Sequence, residues 1–209
     1  MTTLHYARGS LLALCLLSSP ALLADTQGAL PLGSPIPAAK TPLAGLDGKT
    51  LTIAGVRGKK GTLVIFTCNH CPFVKAWETR ITALANSYPA KGIGVVLINA
   101  NDPANYPEDD VAGMRARAKA LGLRAPYVVD TTSDVARAFA ARVTPEAFLF
   151  DAKGALAYHG TIDDNKADPD KVTAHYLKDA LDAVLANRKP AIAETKSLGC
   201  GIKFREGAK

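Results

Sequence analysis

Apolar and polar positions follow two different rhythms along this chain, and each rhythm predicts an element. Thr62-Leu63-Val64-Ile65-Phe66-Thr67 is an unbroken apolar and β-branched run after Gly61, the pattern of a buried strand. From Cys71-Pro72 the spacing changes: Phe73, Val74, Trp77, Ile81, Leu84 and Tyr88 fall on one helical face, and Pro72 suits a first helical turn. Gly92 to Ile98 reads as a second buried strand. Pro107 to Leu121 reads as a helix with Val111, Met114, Ala118 and Leu121 on one side. Tyr127 to Val129 predicts a short strand, and Ser133 to Ala140 a short helix capped by Ser133 or Asp134. Ala147 to Phe150 and Leu156 to Tyr158 flank Asp151-Ala152-Lys153-Gly154, which predicts an antiparallel hairpin. Leu46 to Ile53, with its Asp47-Gly48 turn, predicts another. A last helix is expected from about Asp170 to Leu185, with Val172, Leu177, Leu181 and Val184 inward.

This order is an α/β layout: parallel strands joined by crossover helices come first, and an antiparallel pair follows. No internal repeat and no second core is visible. Four segments are expected: a signal peptide over 1–24, a flexible lead-in over 25–37, one domain over 38–188, and a tail over 189–209 that packs on it. The leader reading rests on an apolar stretch from Leu11 to Leu23 with Arg8 before it and no acid, with cleavage after about Ala24 or Ala21. The mature protein is therefore expected in the periplasm or secreted. Gln27 to Lys40 is rich in Gly, Pro and Ala, which suggests a segment that packs late, if at all.

Composition narrows the function classes. The 209 residues are 48% hydrophobic and 21% charged, an ordinary globular balance. The net charge of +6 is scattered among acids, and aromatics make up only 6%, so no basic and aromatic patch for nucleic acid is formed. Beyond the leader no run is long enough to span a bilayer.

The candidate chemistry lies in cysteines. Cleavage of the leader would remove Cys15 and leave Cys68, Cys71 and Cys200. Cys68-Asn69-His70-Cys71 sits where a strand gives way to a helix. Unpaired N–H groups and the dipole at a helix start favour a thiolate, so Cys68 is the expected nucleophile and Cys71, one turn on, the resolving thiol. His70 either stabilises that thiolate as an imidazolium or is an exposed turn residue. Cys200 is a candidate auxiliary thiol: it forms a second disulfide or relays electrons, packs as a small apolar group, or pairs with a metal or another molecule. Asp163 and Asp164 read as turn and cap residues beside Asn165, and His159 and His175 as structural or surface residues.

The residues now assembled resemble the thioredoxin-like superfamily, and within it the peroxiredoxin-like redoxins of the alkyl hydroperoxide reductase and thiol-specific antioxidant type. The resemblance covers roughly 38 to 205. It rests on Phe66 to Lys75, Val143 to Phe148, Gly160 to Asn165 and the closing Leu198 to Lys203. It implies a three-layer sandwich with a central mixed sheet, an N-terminal hairpin and an inserted helix. It also implies a cis-proline at Thr144-Pro145, opposite the cysteines, with the backbone there free for an extended substrate; a trans proline that starts a strand is the alternative. The expected function is thiol–disulfide oxidoreduction through a redox-active Cys68–Cys71 disulfide, with no other cofactor and no metal. The expected partners are a protein or small-molecule disulfide or dithiol and an upstream redox partner. A thiol peroxidase and a thiolate metal-binding module or chaperone are the alternatives. The peroxidase reading has a gap: where true peroxiredoxins place a hydroxyl and a proline before their cysteine, this chain has Ile65 and Gly61 counted from Cys68, or Cys68 and Val64 counted from Cys71. Thr62 stands where thioredoxins often bury an Asp.

Overall fold

The computed structural model describes residues 28–206 and Met1, so the expected leader lies otherwise outside the described residues. Among the described residues, nine strands and four α-helices follow in chain order. The strands are β1 (Leu43–Gly45), β2 (Thr50–Leu51), β3 (Gly61–Phe66), β4 (Ile93–Asn99), β5 (Tyr127–Val129), β6 (Val143–Thr144), β7 (Glu146–Asp151), β8 (Leu156–Gly160) and β9 (Cys200–Gly201). The helices are α1 (Pro72–Ser87), α2 (Val111–Leu121), α3 (Asp134–Ala138) and α4 (Tyr176–Leu185).

Seven strands form one mixed sheet in the order β2-β1-β5-β4-β3-β7-β8. Its centre is parallel (β5, β4 and β3), while β7 runs antiparallel to β3 and forms a hairpin with β8. Strand β3 is buried along its whole length because both faces are covered. Alternation splits its side chains: Leu63 and Ile65 join Trp77 and Ile81 of α1, Met114 of α2 and Leu181 of α4 in one core. Val64 and Phe66 join Val135 of α3, Phe139 and Phe148 in the other. Phe66, Phe139 and Phe148 meet edge to face, with centroids 5.2 to 5.8 Å apart. The result is a three-layer α/β sandwich.

The differences from expectation have local causes. The lead-in is packed over its described residues. Gly33 N–H donates to the Leu156 carbonyl at 2.9 Å, Leu156 N–H donates to Ser34, and Leu30 and Ile36 cover the second core. Two apolar residues and these backbone hydrogen bonds are enough to seat a segment whose composition suggested mobility. The expected helix from Pro107 opens as a tight turn over Pro107–Asp109, and α2 begins at Val111 because Asp110 caps it by accepting from Gly113 N–H at 2.6 Å. Likewise α4 begins at Tyr176. Pro169–Lys171 forms a separate turn, and Asp164 holds the Thr173 N–H at 3.0 Å. Ser133 precedes α3 in the left-handed region without capping it, since its hydroxyl donates to the Ala100 carbonyl at 2.7 Å. The tail, which has no period in sequence, runs beside β8 and then forms β9 against β6. Among the described residues no helix is long and apolar enough to cross a membrane.

Candidate active site

Strand β3 ends at Phe66 and α1 begins at Pro72, so the loop between them presents Cys68 to Cys71 at the edge of the sheet centre. Cys71 is the N-cap of α1, in extended conformation, and its carbonyl accepts from Lys75 N–H at 3.0 Å. Facing this loop is the turn from β6 to β7. There the Thr144–Pro145 peptide bond is cis. Cys68 Sγ lies 3.1 Å from the Thr144 hydroxyl, and Cys71 Sγ lies 3.2 Å from the Thr144 carbonyl oxygen. One residue therefore touches both sulfurs.

The third cysteine arrives from the tail. β9 pairs antiparallel with β6, placing Cys200 opposite Thr144 and Gly201 opposite Val143. Cys200 is disulfide-bonded to Cys71, with Cα atoms 6.0 Å apart, within the ordinary range for such a bridge. The disulfide present is thus Cys71–Cys200, where the sequence suggested Cys68–Cys71, and Cys68 is a free thiol. Gly199 permits this approach, because a Cβ there would lie 2.3 Å from the Thr144 carbonyl oxygen.

The environment of Cys68 also departs from expectation. Its residue is only 2% exposed, and burial pushes the thiol up to about 11. The Thr144 hydroxyl, the Cys71 N–H and the Asn101 side chain pull it down, while the Asp109 charge adds to the rise. The helix start does supply a donor, but lost hydration outweighs it in this redox form. Cys71 is fully buried and Cys200 half-buried, so the sulfur of the tail belongs to the most exposed of the three residues.

Around Cys68 stands a polar cluster of which the sequence reading named only His70. His70 Nδ1 lies 2.6 Å from Asp109 Oδ2, and its ring stacks on Tyr106 with centroids 3.8 Å apart. His70 is therefore pinned, neither swinging at the surface nor simply facing solvent. Asp109 is 1% exposed and also accepts from Asn69 N–H at 2.6 Å and from Asn101 Nδ2 at 2.9 Å. Tyr127 donates to Asn69 Oδ1 at 3.1 Å, and burial, with the Cys68 and Asp109 charges, raises its phenol well above the ordinary range. The readable signal was Asn99-Ala100-Asn101-Asp102, a polar run at the end of an apolar strand, where open sheets expose side chains to ligands. Ligand atoms of Cys68, His70 and Asp109 all lie within 4.8 Å of one another, close enough for a metal ion. The Asp109 oxygens, however, already accept three hydrogen bonds, and an ion there would have to displace them.

On the other side of Pro145, Glu146 is 3% exposed. It accepts from Arg142 N–H at 2.7 Å and Val143 N–H at 3.2 Å, and it meets His159 Nε2 at 2.7 Å. Burial alone would raise its carboxyl, yet these donors hold it below the ordinary range. His159 is therefore a structural residue with a partner, stacked on Phe148 at 4.5 Å. Asp163 accepts from Trp77 Nε1 at 2.7 Å and Arg80 Nη1 at 2.6 Å, which ties the loop after β8 to α1.

A thioredoxin-like fold with three cysteines around a cis-proline defines a redox-active class of protein. The family comparison agrees: the Redoxin model matches residues 31–176, and the chain belongs to that family. Among solved structures, an uncharacterized conserved protein from Geobacillus kaustophilus is 37% identical, with 85% of this chain and 94% of that one covered and a TM-score of 0.78. A hypothetical protein from Sinorhizobium meliloti 1021 is 35% identical, with 86% and 98% covered and a TM-score of 0.79. A secreted disulfide oxidoreductase from Mycobacterium tuberculosis shares the fold at 18% identity, with 72% and 97% covered and a TM-score of 0.53. No curated protein gives a match to this sequence.

Proposed function

We propose that this Redoxin-family protein is an exported thiol–disulfide oxidoreductase in which Cys68 is the nucleophile and Cys71 the sulfur it attacks. The observation that carries the reading is a free thiol and a disulfide held against the same residue. Cys68 Sγ is 3.1 Å from the Thr144 hydroxyl, and Cys71, bonded to Cys200, is 3.2 Å from the Thr144 carbonyl. The Cys68 thiolate attacks Cys71 Sγ, the Cys71–Cys200 bond breaks, and Cys200 leaves as a thiolate. Cys68–Cys71 is then the disulfide, and the proton that left Cys68 ends on Cys200. No net oxidation occurs in this step. Two electrons enter when an external dithiol reduces either disulfide, and they leave when the reduced protein meets a substrate disulfide.

Thr144 and Pro145 hold the two sulfurs in register. His70, fixed by Asp109, is a further tuning group within reach of Cys68. The peroxidase alternative gains nothing here: Gly61 and Ile65 are buried within β3, and neither supplies a hydroxyl. Export rests on the apolar leader read from sequence.

Dithiothreitol-driven reduction of insulin disulfides tests the reading. The wild-type chain should exceed the uncatalysed rate, and Cys71→Ser should return it to background while trapping a mixed disulfide. A wild-type rate equal to background would remove the proposal. N-terminal sequencing of protein from the periplasm should start near Leu22 or Asp25 if the leader is cleaved.

A further inference from the structure

A thioredoxin-like site ordinarily leaves the backbone before its cis-proline open, yet here that edge is filled. Thr144 and Val143 pair with Cys200 and Gly201 of the tail. Nor is the tail held by the disulfide alone. Ile202 is 8% exposed within the second core, and its N–H donates to the Arg142 carbonyl at 2.9 Å. Lys203 N–H donates to Asn101 Oδ1 at 2.8 Å, Asp102 N–H donates to the Lys203 carbonyl at 2.7 Å, and Arg205 N–H donates to the Ser133 hydroxyl at 2.9 Å. Upstream, Thr195 N–H donates to the His159 carbonyl at 3.0 Å, and its hydroxyl accepts from Thr161 N–H at 3.0 Å. Opening one S–S bond leaves these anchors in place.

Two consequences follow from burial and anchoring together. Cys68 and Cys71 are 2% and 0% exposed, so an incoming sulfur meets Cys200 before either of them. Cys200 is half-buried and tethered on both sides by backbone hydrogen bonds that do not depend on its disulfide. We propose that Cys200 is the sulfur through which the site exchanges electrons with its partners, an external dithiol serving as the reductant. The proposal rests on the oxidoreductase reading above and adds the outer member of the relay.

The steps balance. A thiolate of the dithiol attacks Cys200 Sγ, the Cys71–Cys200 bond breaks, and Cys71 departs as a thiolate. The second thiol of the reductant then attacks its own mixed-disulfide sulfur and releases Cys200. The reductant ends as a disulfide, the protein holds three thiols, and two protons pass from the reductant to Cys71 and Cys200. In the opposite direction, a Cys200 thiolate attacks a substrate disulfide and Cys71 resolves the adduct.

The test begins with the oxidised full chain mixed briefly with reduced glutathione and quenched with acid and N-ethylmaleimide. Peptide mapping should find glutathione on Cys200 and maleimide on Cys71. Glutathione on Cys71, with maleimide on Cys200, or glutathione on Cys68, overturns the proposal. A kinetic arm separates the two claims. With dithiothreitol and insulin, Cys200→Ser should turn over about tenfold more slowly than wild type while still forming Cys68–Cys71. Wild-type turnover in Cys200→Ser sinks the outer role of Cys200 and leaves the Cys68–Cys71 reading intact, whereas wild-type turnover in Cys71→Ser sinks that reading itself. If Cys200→Ser lacks the native circular dichroism spectrum, the mapping on the wild-type chain decides alone.

Discussion

Two histidine–carboxylate pairs flank the sulfurs, alike in distance and unlike in what they face. His70 and Asp109 meet at 2.6 Å on the side of Cys68, and His159 and Glu146 meet at 2.7 Å just beyond Pro145. The first pair has a thiol within 4.8 Å. The second has backbone: Glu146 spends its other oxygen on the N–H groups of Arg142 and Val143, the residues that lead into the cis bond. A similar histidine–carboxylate contact thus lies beside a thiol in one place and positions the chain in the other. What decides is the third group each pair touches.

The largest effect that tests this contrast is on stability. Glu146→Ala should cost about 3–5 kcal/mol in urea unfolding, because it strands a buried imidazole and two backbone donors. Glu146→Gln, which keeps an acceptor, should cost less. A loss below 1 kcal/mol for the alanine variant would show that the turn holds itself.

The pH dependence separates the pairs next. The Glu146 carboxyl is held low when folded, so its contribution is present above the ordinary carboxyl range and disappears as pH falls through its folded value. The Cys68 thiol is raised to about 11, so its contribution is full below the unfolded thiol value and is lost as pH climbs toward 11. That alkaline loss should amount to about 3 kcal/mol in the oxidised protein. Its disappearance in Cys68→Ala, with the acid limb unchanged, would assign it.

A smaller effect belongs to the charge at Asp109, which raises the Cys68 thiol. In Asp109→Asn, alkylation of Cys68 should reach its midpoint below pH 11, with a rate near pH 8 roughly tenfold above wild type. An unchanged midpoint would leave burial as the sole cause. The smallest expected change is in Tyr106→Leu. Loss of the ring stacked on His70 should cost about 0.5–1 kcal/mol and shift Cys68 alkylation by less than about threefold.

The legible part of the fold was the part with period. The run Leu63 to Phe66, the face from Phe73 to Tyr88 and the hairpin around Asp151 to Gly154 announce themselves, and so does the Cys68 to Cys71 loop between a strand and a helix. The lead-in and tail were not legible, because they are stitched to the core by single residues such as Ile36 and Ile202 and by backbone hydrogen bonds that carry no side-chain signature. Asp109 was hidden for a related reason. It sits 38 positions beyond Cys71, and only the fold brings it beside His70. The burial of Cys68 was not legible either, because a motif shows the helix start and not what the fold packs over it.

The strand contributed by the tail also has a timing. Cys200 lies 129 positions after Cys71, so a chain emerging from a ribosome offers Cys68 and Cys71 well before their third companion exists. A nascent molecule could bond those two sulfurs to each other, and only the finished one can trade that bond for the Cys71–Cys200 link.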